Sequence, residues 1–559
     1  MKKLLCVLLS FVLIFGMTVP SLAAINMFET RSQIPVVFIS GDGNTIYDKD
    51  EKPLSKLSNF FGNNGGTTEG EDEGDNNEKL KNVLSSVMNV YKEYLFEGML
   101  NDNWEPFYAA LQKEVSEAFG DILLDDNGEA TNGTHISQWH QNQVKYSMTH
   151  DRKGDKGFYD RGDYFFWYDW RLDPMENAKG LNEFIKAVKN VTGSEKVSVI
   201  CRCLGTNVFC AYLEQFGSDD LYGVGFDGAV CMGAESISEA LSGKFKVDAV
   251  AIERALKDGN YYGVFDIDPF VISCIDLAQK SGIIDGYVGF KKATVYAKLV
   301  EGVTSALALA SISYPCYWAC VKPSDFDTAV KYVFGEEGSE KYVKYAGLIE
   351  KITTYNERVK KNIPQLIKSL PENGVKVGVI AKYGTQMIPT CESATQVADS
   401  YVSLTSSSFG ATTGTVYKPL SQEYIDAQQE KGLGKYISPD KQVDASTCLL
   451  PDNTWFVKGV KHSDWTYAED MLLMTVVTSD RQLTVDDFAE SQFMVKHPTD
   501  WWAMTAMTED NCKTEAWETD EKMGNPDSGA GKLFAFLRSL FDWFKELVRV
   551  LKNKFNPGE

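Results

Sequence analysis

The sequence predicts an α/β fold in which a mainly parallel sheet is flanked by helices. Continuous apolar runs at residues 35–40 and 197–200 are typical of parallel strands that are buried on both faces. Helical segments alternate with such runs, which is the pattern of a parallel sheet covered on both sides. From residue 234 to 370 helical spacing replaces the strand pattern, and strands resume near residue 375. We therefore expect a large helical insertion between strands of one sheet rather than a separate second domain.

The order of the elements follows from hydrophobic spacing along the chain. Helical spacing occurs at residues 80–119, 177–190 and 207–216. Strand-like runs occur in six places, and we expect the sixth to be the last strand: residues 35–40, 164–170, 197–200, 221–232, 375–380 and 453–457. The expected division is a core at 25–233 with a mobile insertion at about 62–160, a helical cap at 234–370, more core at 371–500, and a linker at 501–531.

The composition bounds the class of protein. The 559 residues are 43% hydrophobic and 12% aromatic, which is enough to build a large core. A net charge of −22 argues against nucleic acid as a partner, because affinity for phosphates comes from lysine and arginine. Cysteine spacing shows no metal-binding pattern, and nothing in the sequence requires a cofactor. Cys316 and Cys320 would share a helix face, so a disulfide there is one open possibility.

The two ends of the chain predict export and a basic tail. Lys2 and Lys3, the apolar stretch 4–16 and the small residues 21–24 predict a signal peptide at 1–24, and hence a secreted or cell-surface protein. Residues 532–559 are predicted to form a basic C-terminal helix, amphipathic over 532–555 with six basic and two acidic side chains. This helix either lies on an anionic membrane surface or packs on its own domain or a partner.

Residues 197–210 contain the most informative motif. They read Val-Ser-Val-Ile-Cys-Arg-Cys-Leu-Gly-Thr-Asn-Val-Phe-Cys, a strand, a tight turn and a helix start. This is the layout of the nucleophile elbow of an α/β-hydrolase, normally Gly-x-Ser-x-Gly, with Cys203 at the apex. Cysteine is a competent nucleophile beside a histidine. Cys201 and Arg202 replace the usual residues before the apex, so a degenerate elbow without activity is the alternative.

A histidine and a carboxylate should follow the nucleophile in the chain. His462 comes just after the expected last strand, whereas His135, His140 and His150 precede the elbow. Asp440 lies shortly upstream of that strand and is our first choice for the acid. Asp444 and Asp399 are the alternatives.

Two backbone groups are the expected donors to an oxyanion. One is the N–H of Leu204, which follows the apex, and the other is the backbone of Asp42 in the loop after the first strand. Gly41 and Gly43 flank Asp42 and would permit a close approach of the two segments.

The chain resembles α/β-hydrolases of the lecithin:cholesterol acyltransferase-like group. Residues 168–174, Tyr-Asp-Trp-Arg-Leu-Asp-Pro, are similar to that group's Tyr-Asp-Trp-Arg-Leu segment, and residues 313–318 with Pro323 resemble its Pro-Ser-x-Trp-x-x-x-Pro stretch. The resemblance covers residues 35–44, 164–233, 313–332 and 375–465 in part. It implies a nucleophile at Cys203, an acid at Asp440 and a base at His462, although the group's serine is absent.

The sequence and this resemblance together predict an exported lipase, esterase or acyltransferase that forms an acyl-enzyme on Cys203. The expected substrate is a hydrophobic ester or lipid beneath a mobile cap, as the resemblance implies. The alternative is a catalytically inactive protein of this fold that binds a lipid, a glycan or another protein. A peptidase has only the elbow in its favour.

Overall fold

The computed structural model describes most of the chain from residue 34 onward, in several ranges. These are residues 34–41, 46–52, 54, 94, 103–119, 122–136, 164–244, 312–388, 391–416, 418–462, 464, 466–496 and 504–512. All of them belong to one compact unit formed by residues 1–248 and 293–512. A second unit, residues 249–292 and 513–559, lies outside the described residues. The predicted signal peptide and basic tail therefore lie outside them as well.

The described residues form a central sheet of eight strands. In chain order they are β1 Val36–Ile39, β2 Tyr164–Phe166, β3 Val197–Cys203, β4 Leu221–Ala229, β5 Lys376–Tyr383, β6 Thr454–Lys458, β7 Phe493–Lys496 and β8 Met504–Ala506. Their order across the sheet is β8-β7-β6-β5-β4-β3-β1-β2. Every neighbouring pair is parallel except β7 with β8. The α/β prediction with a mainly parallel sheet is confirmed.

The strand order reverses at β1. The chain places β2 on one side of β1 and then crosses to place β3 on the other side. From β3 to β8 each new strand is added farther along the same direction. Where the order reverses, the connections leave the sheet on opposite faces and open a crevice at the carboxyl ends of the strands. The elbow motif lies at the carboxyl end of β3, the strand next to β1.

The helices lie between and beside these strands. They are α1 Glu105–Phe119, α2 Pro174–Thr192, α3 Gly205–Phe216, α4 Glu235–Leu241, α5 Pro315–Trp318, α6 Phe326–Phe334, α7 Glu340–Lys344, α8 Ala346–Arg358, α9 Ile363–Glu372, α10 Leu404–Ser407, α11 Gln422–Glu430 and α12 Tyr467–Thr478. Among the described residues, none of the helices is long and apolar enough to cross a membrane.

Helices cover both faces of the sheet. Because side chains alternate along a strand, Val37 and Ile39 of β1 enter the core that includes α2 and α3. Val36 and Phe38 enter a second core, on the opposite face, which contains the apolar side chains of α12. Strands buried on both faces explain the continuous apolar runs in the sequence.

The structure differs from the sequence prediction at the end of the sheet. The prediction that residues 453–457 form the last strand is wrong, because β7 and β8 follow β6. Strand β8 lies within the predicted linker 501–531, so this part of the linker prediction is wrong too. Both are short strands, and β8 pairs with β7 in the antiparallel direction. Neither is a continuous apolar run, since β7 ends in Lys496 and β8 contains a threonine.

Helix α2 begins earlier than its hydrophobic spacing indicates. The Asp173 side chain accepts the backbone N–H of Met175 at 2.9 Å, and Pro174 occupies the first turn. Both features favour a helix start, since proline there loses no hydrogen bond. Gly193 ends the helix at a φ of 70°. The helix therefore extends beyond the predicted residues 177–190.

Candidate active site

The turn between β3 and α3 has the conformation of a strained elbow. Cys203 ends the strand, Leu204 is the only residue between the two elements, and Gly205 begins the helix. The φ of Cys203 is 46°, a left-handed conformation that costs a non-glycine residue about 1–3 kcal/mol. Cys203 is half-buried, whereas the other eight described cysteines are buried. The strained backbone therefore lies at the one described cysteine that is partly exposed to solvent.

Two glycines bring the end of β1 against this turn. A Cβ on Gly205 would lie 2.6 Å from the carbonyl oxygen of Ile39 and 2.7 Å from that of Ser40. A Cβ on Gly41 would lie 2.9 Å from Cys203 Cβ and 3.4 Å from its Sγ. Separations below 3.0 Å leave no room for a Cβ, so the neighbouring atoms would have to move. Glycine at these positions permits the contact, which explains the Gly at the end of the elbow motif.

Cys201 and Arg202, the two residues that depart from the usual elbow motif, are each bound by neighbouring groups. Cys201 is fully buried, and its Sγ donates to the carbonyl oxygen of Gly225 at 3.4 Å. Burial raises the pKa of this thiol well above its ordinary value, so it stays protonated. The guanidinium of Arg202 binds the carboxylates of Asp227 and Asp470. Both replacements are therefore accommodated within a strained turn.

His462 lies at the elbow and is held by Asp399. The Nδ1 atom of His462 is 2.8 Å from Asp399 Oδ2, and its backbone N–H donates to the Asp399 carbonyl oxygen at 2.8 Å. Cys203 pairs with Ala229 in the sheet, next to Gly228, and is one of the neighbours that raise the pKa of His462. Gly228 packs on the imidazole, since a Cβ there would lie 3.4 Å from Cε1. The imidazole is thus bound to the Asp399 carboxylate and lies beside the strand that pairs with Cys203.

The pKa of His462 reflects this environment. Burial lowers it, but the charges of Asp399 and Cys203 and the hydrogen bonds to both more than offset that effect. The net result is a pKa well above the usual value for histidine. An imidazole that is readily protonated beside a thiol stabilises the thiolate.

Asp399 is fully buried in a loop that returns to the carboxyl end of the sheet. After β5 the chain forms an antiparallel pair between Thr385–Gln386 and Val397–Ala398, and Asp399 follows directly. The second carboxylate oxygen accepts the backbone N–H groups of Tyr401 and Val402 at 3.1 and 2.9 Å. These bonds fix the carboxylate with one oxygen directed to His462.

Buried Glu235 anchors the loop beyond Asp399. Its carboxylate accepts the N–H and hydroxyl of Ser403 at 2.8 and 2.5 Å and the hydroxyl of Ser406 at 2.9 Å. Lys322, which follows α5, completes the ion pair at 2.5 Å. The connection between α5 and α6 is thereby tied to the loop that carries Asp399.

The structure does not bring Asp440 to His462, which corrects our first choice for the acid. Asp440 accepts from Lys458 Nζ at 2.8 Å, from the Tyr383 hydroxyl at 3.0 Å and from the Ser438 hydroxyl at 2.5 Å. A buried carboxylate needs such partners, and these three groups supply hydrogen bonds to both oxygens of Asp440. The alternative Asp444 is also engaged, with the Tyr424 hydroxyl and the Ser446 N–H at 2.8 Å each. The remaining alternative, Asp399, is the partner of His462.

Of the two predicted oxyanion donors, the structure describes Leu204 but not Asp42. Leu204 immediately precedes the first residue of α3, where N–H groups have no partner within the helix. A Cβ on Gly41 would lie 3.8 Å from the Leu204 nitrogen, so the two segments are adjacent. Asp42 lies outside the described residues, and its role stays a prediction.

Comparisons with known proteins add little to this geometry. No family model matches the chain, and no curated protein matches it. Among solved structures, a chain in "The crystal structure of Tle4-Tli4 complex" is 11% identical to this one. The alignment covers 62% of this chain and 75% of that chain, with a TM-score of 0.24. A TM-score this low carries no argument.

Proposed function

We propose that the chain is an enzyme of the α/β-hydrolase fold that cleaves or transfers acyl groups of esters. Cys203 is the nucleophile, His462 the general base and acid, and Asp399 orients His462. The observation that carries this proposal is the position of Cys203. It is a non-glycine residue at positive φ where strand meets helix, and it lies near a histidine that is bound to a buried aspartate. The reversal of strand order beside β3 supports the fold assignment.

The first half-reaction forms an acyl-enzyme. His462 holds the proton of Cys203, and the thiolate attacks the ester carbonyl carbon. The resulting oxyanion is placed beside the start of α3, where the N–H of Leu204 and the positive end of the helix stabilise negative charge. When the intermediate collapses, His462 gives its proton to the leaving alcohol, and the acyl group remains on sulfur as a thioester.

The second half-reaction restores the thiol. His462 takes a proton from water or from a second alcohol, whose oxygen attacks the thioester carbonyl carbon. When this intermediate collapses, the C–S bond breaks, the acid or new ester leaves, and His462 returns its proton to the Cys203 sulfur. Asp399 accepts the hydrogen bond from Nδ1 and stabilises the imidazolium in both halves. Water gives hydrolysis and a second alcohol gives acyl transfer, so one site serves both reactions.

We propose a hydrophobic ester or lipid as the substrate and an exported location for the enzyme. The leader-like residues 1–24 and the basic, amphipathic residues 532–555 support this part of the proposal. Removing residues 532–559 should reduce co-sedimentation with anionic phosphatidylglycerol vesicles and leave the protein's binding to neutral phosphatidylcholine vesicles unchanged. Equal binding of both proteins to the anionic vesicles would contradict membrane contact through the tail.

Hydrolysis of p-nitrophenyl acyl esters of increasing chain length tests the proposed function. Cys203→Ala should lower kcat/KM by at least about 10³-fold, because it removes the nucleophile. Cys201→Ala is the matched control, since it removes a buried thiol two residues away and should retain activity. Equal turnover by wild type and Cys203→Ala, or no turnover by wild type, would overturn the proposal. The latter result would favour a binding protein.

A further inference from the structure

Five charged side chains form a buried cluster directly behind the candidate site. They are Arg202, Asp227, Lys382, Glu469 and Asp470, which we call the elbow cluster. Arg202 Nε donates to Asp227 Oδ2 at 2.8 Å, and the same guanidinium binds Asp470. Lys382 Nζ lies 3.0 Å from Asp227 Oδ1 and 3.8 Å from Glu469 Oε1. All but Arg202 have side chains that are 2% exposed or less.

The cluster joins the elements that carry the site. Arg202 immediately precedes Cys203 in the chain, and Asp227 precedes Gly228, which packs on His462. Lys382 Nζ donates to the carbonyl oxygen of Asp464 at 2.7 Å, two residues beyond His462.

The carboxylates of α12 complete the connection to the histidine loop. Glu469 accepts the backbone N–H of Thr466 at 2.6 Å and so forms part of the capping box at the N-terminus of α12. The carboxylate of Asp470, the next residue, forms an ion pair with the guanidinium of Arg202. The β3 turn and the loop that carries His462 are therefore bound to one set of charges.

We propose that the elbow cluster is a positioning device that fixes Cys203 relative to His462. This inference rests on the proposed function of that site. Arg202 suits the task because a planar guanidinium binds carboxylates on two different elements at once, which a lysine ammonium does less well. Fold stability alone does not require the cluster, since apolar residues of similar volume often replace buried ion pairs without loss.

Asp227 and Lys382 keep their charges in spite of burial, whereas burial raises the pKa of Glu469 to about 7. Burial raises the pKa of Asp227, but Lys382 and Arg202 reverse that effect and hold it below the usual value. Burial also lowers the pKa of Lys382, and the charges of Asp227 and Glu469 raise it above the usual value. Two basic side chains thus face three acidic ones at the point where the elements meet.

The rate at which iodoacetamide alkylates Cys203 tests the inference without any need for ester turnover. Lys382→Met and Arg202→Lys should each slow alkylation of the folded protein about tenfold, because the imidazole no longer meets the thiol correctly. Where esters are turned over, kcat should fall and KM should stay constant.

Lys458→Met is the matched control. Lys458 is a strand lysine in a buried ion pair with Asp440, 3% and 1% exposed, outside the elbow cluster. We expect it to lower the melting temperature as Lys382→Met does and to leave Cys203 alkylation at the wild-type rate. Wild-type alkylation in Lys382→Met and Arg202→Lys, or equal slowing in Lys458→Met, would overturn the inference. Slowing confined to the two cluster variants supports it even if no variant turns over esters, in which case only the proposed function fails.

Discussion

Replacing Asp399 by asparagine is expected to reduce kcat/KM for a p-nitrophenyl ester by roughly 10³-fold. Asp399 is fully buried and binds His462 Nδ1 at 2.8 Å, so its charge sets both the orientation and the proton affinity of the imidazole. Asparagine keeps the volume but loses the charge. KM should change little, because the acid does not contact the substrate in the proposed mechanism.

Asp440→Asn is the control that separates the two candidate acids. Its carboxylate is paired with Lys458 Nζ at 2.8 Å and both side chains are almost fully buried. Removing the charge leaves a buried ammonium without its partner, which costs about 3 kcal/mol of unfolding free energy. The folded fraction should nevertheless keep the wild-type kcat/KM. A large loss of kcat/KM in Asp440→Asn together with an active Asp399→Asn would restore Asp440 as the acid.

Replacing His462 by glutamine is expected to change how Cys203 reactivity depends on pH. Because Asp399 and Cys203 raise the pKa of His462 well above its usual value in spite of burial, the imidazole stays protonated near neutral pH. In the wild type, alkylation of Cys203 by iodoacetamide should therefore continue below pH 7. In His462→Gln the alkylation rate should fall with pH as for an ordinary thiol. At pH 6.5 it should be roughly tenfold below the wild-type rate. Superimposable pH profiles would contradict the pairing of Cys203 with His462.

The same pKa has a consequence for stability. A histidine that holds its proton more tightly when folded contributes stability that is complete below its unfolded pKa of about 6.5. That contribution is lost as the pH rises through the raised pKa of the folded state. The unfolding free energy of the wild type, compared with His462→Gln in urea titrations, should therefore show a larger advantage at pH 6 than at pH 9.

The sheet was largely predictable because its central strands are buried on both faces. Continuous apolar runs at β1 and β3 need no partner to be recognised, and strand β5 follows a long helical stretch. Strands β7 and β8 were missed because they are not continuous apolar runs: β7 ends in a lysine, and two of the three residues of β8 are only partly buried. Their pairing depends on the rest of the sheet being present.

The candidate site was predictable in part. The strained turn at Cys203 follows from the elbow motif, and the position of His462 follows from chain order. The choice among the acids could not be made from the sequence, because Asp440 and Asp399 both precede His462 in the chain. The short pair between Thr385–Gln386 and Val397–Ala398 decides it, since this tertiary contact returns Asp399 to the sheet edge.

The most direct test of the account is the mass of the protein during turnover of an ester. Wild-type protein quenched in acid after mixing with excess p-nitrophenyl ester should gain the mass of one acyl group, located on the peptide that contains Cys203. The adduct should be cleaved by neutral hydroxylamine, as a thioester is, and should be absent in Cys203→Ala. Turnover by the wild type with the acyl group on any other residue, or with no acyl-enzyme and full activity in Cys203→Ala, would contradict the account.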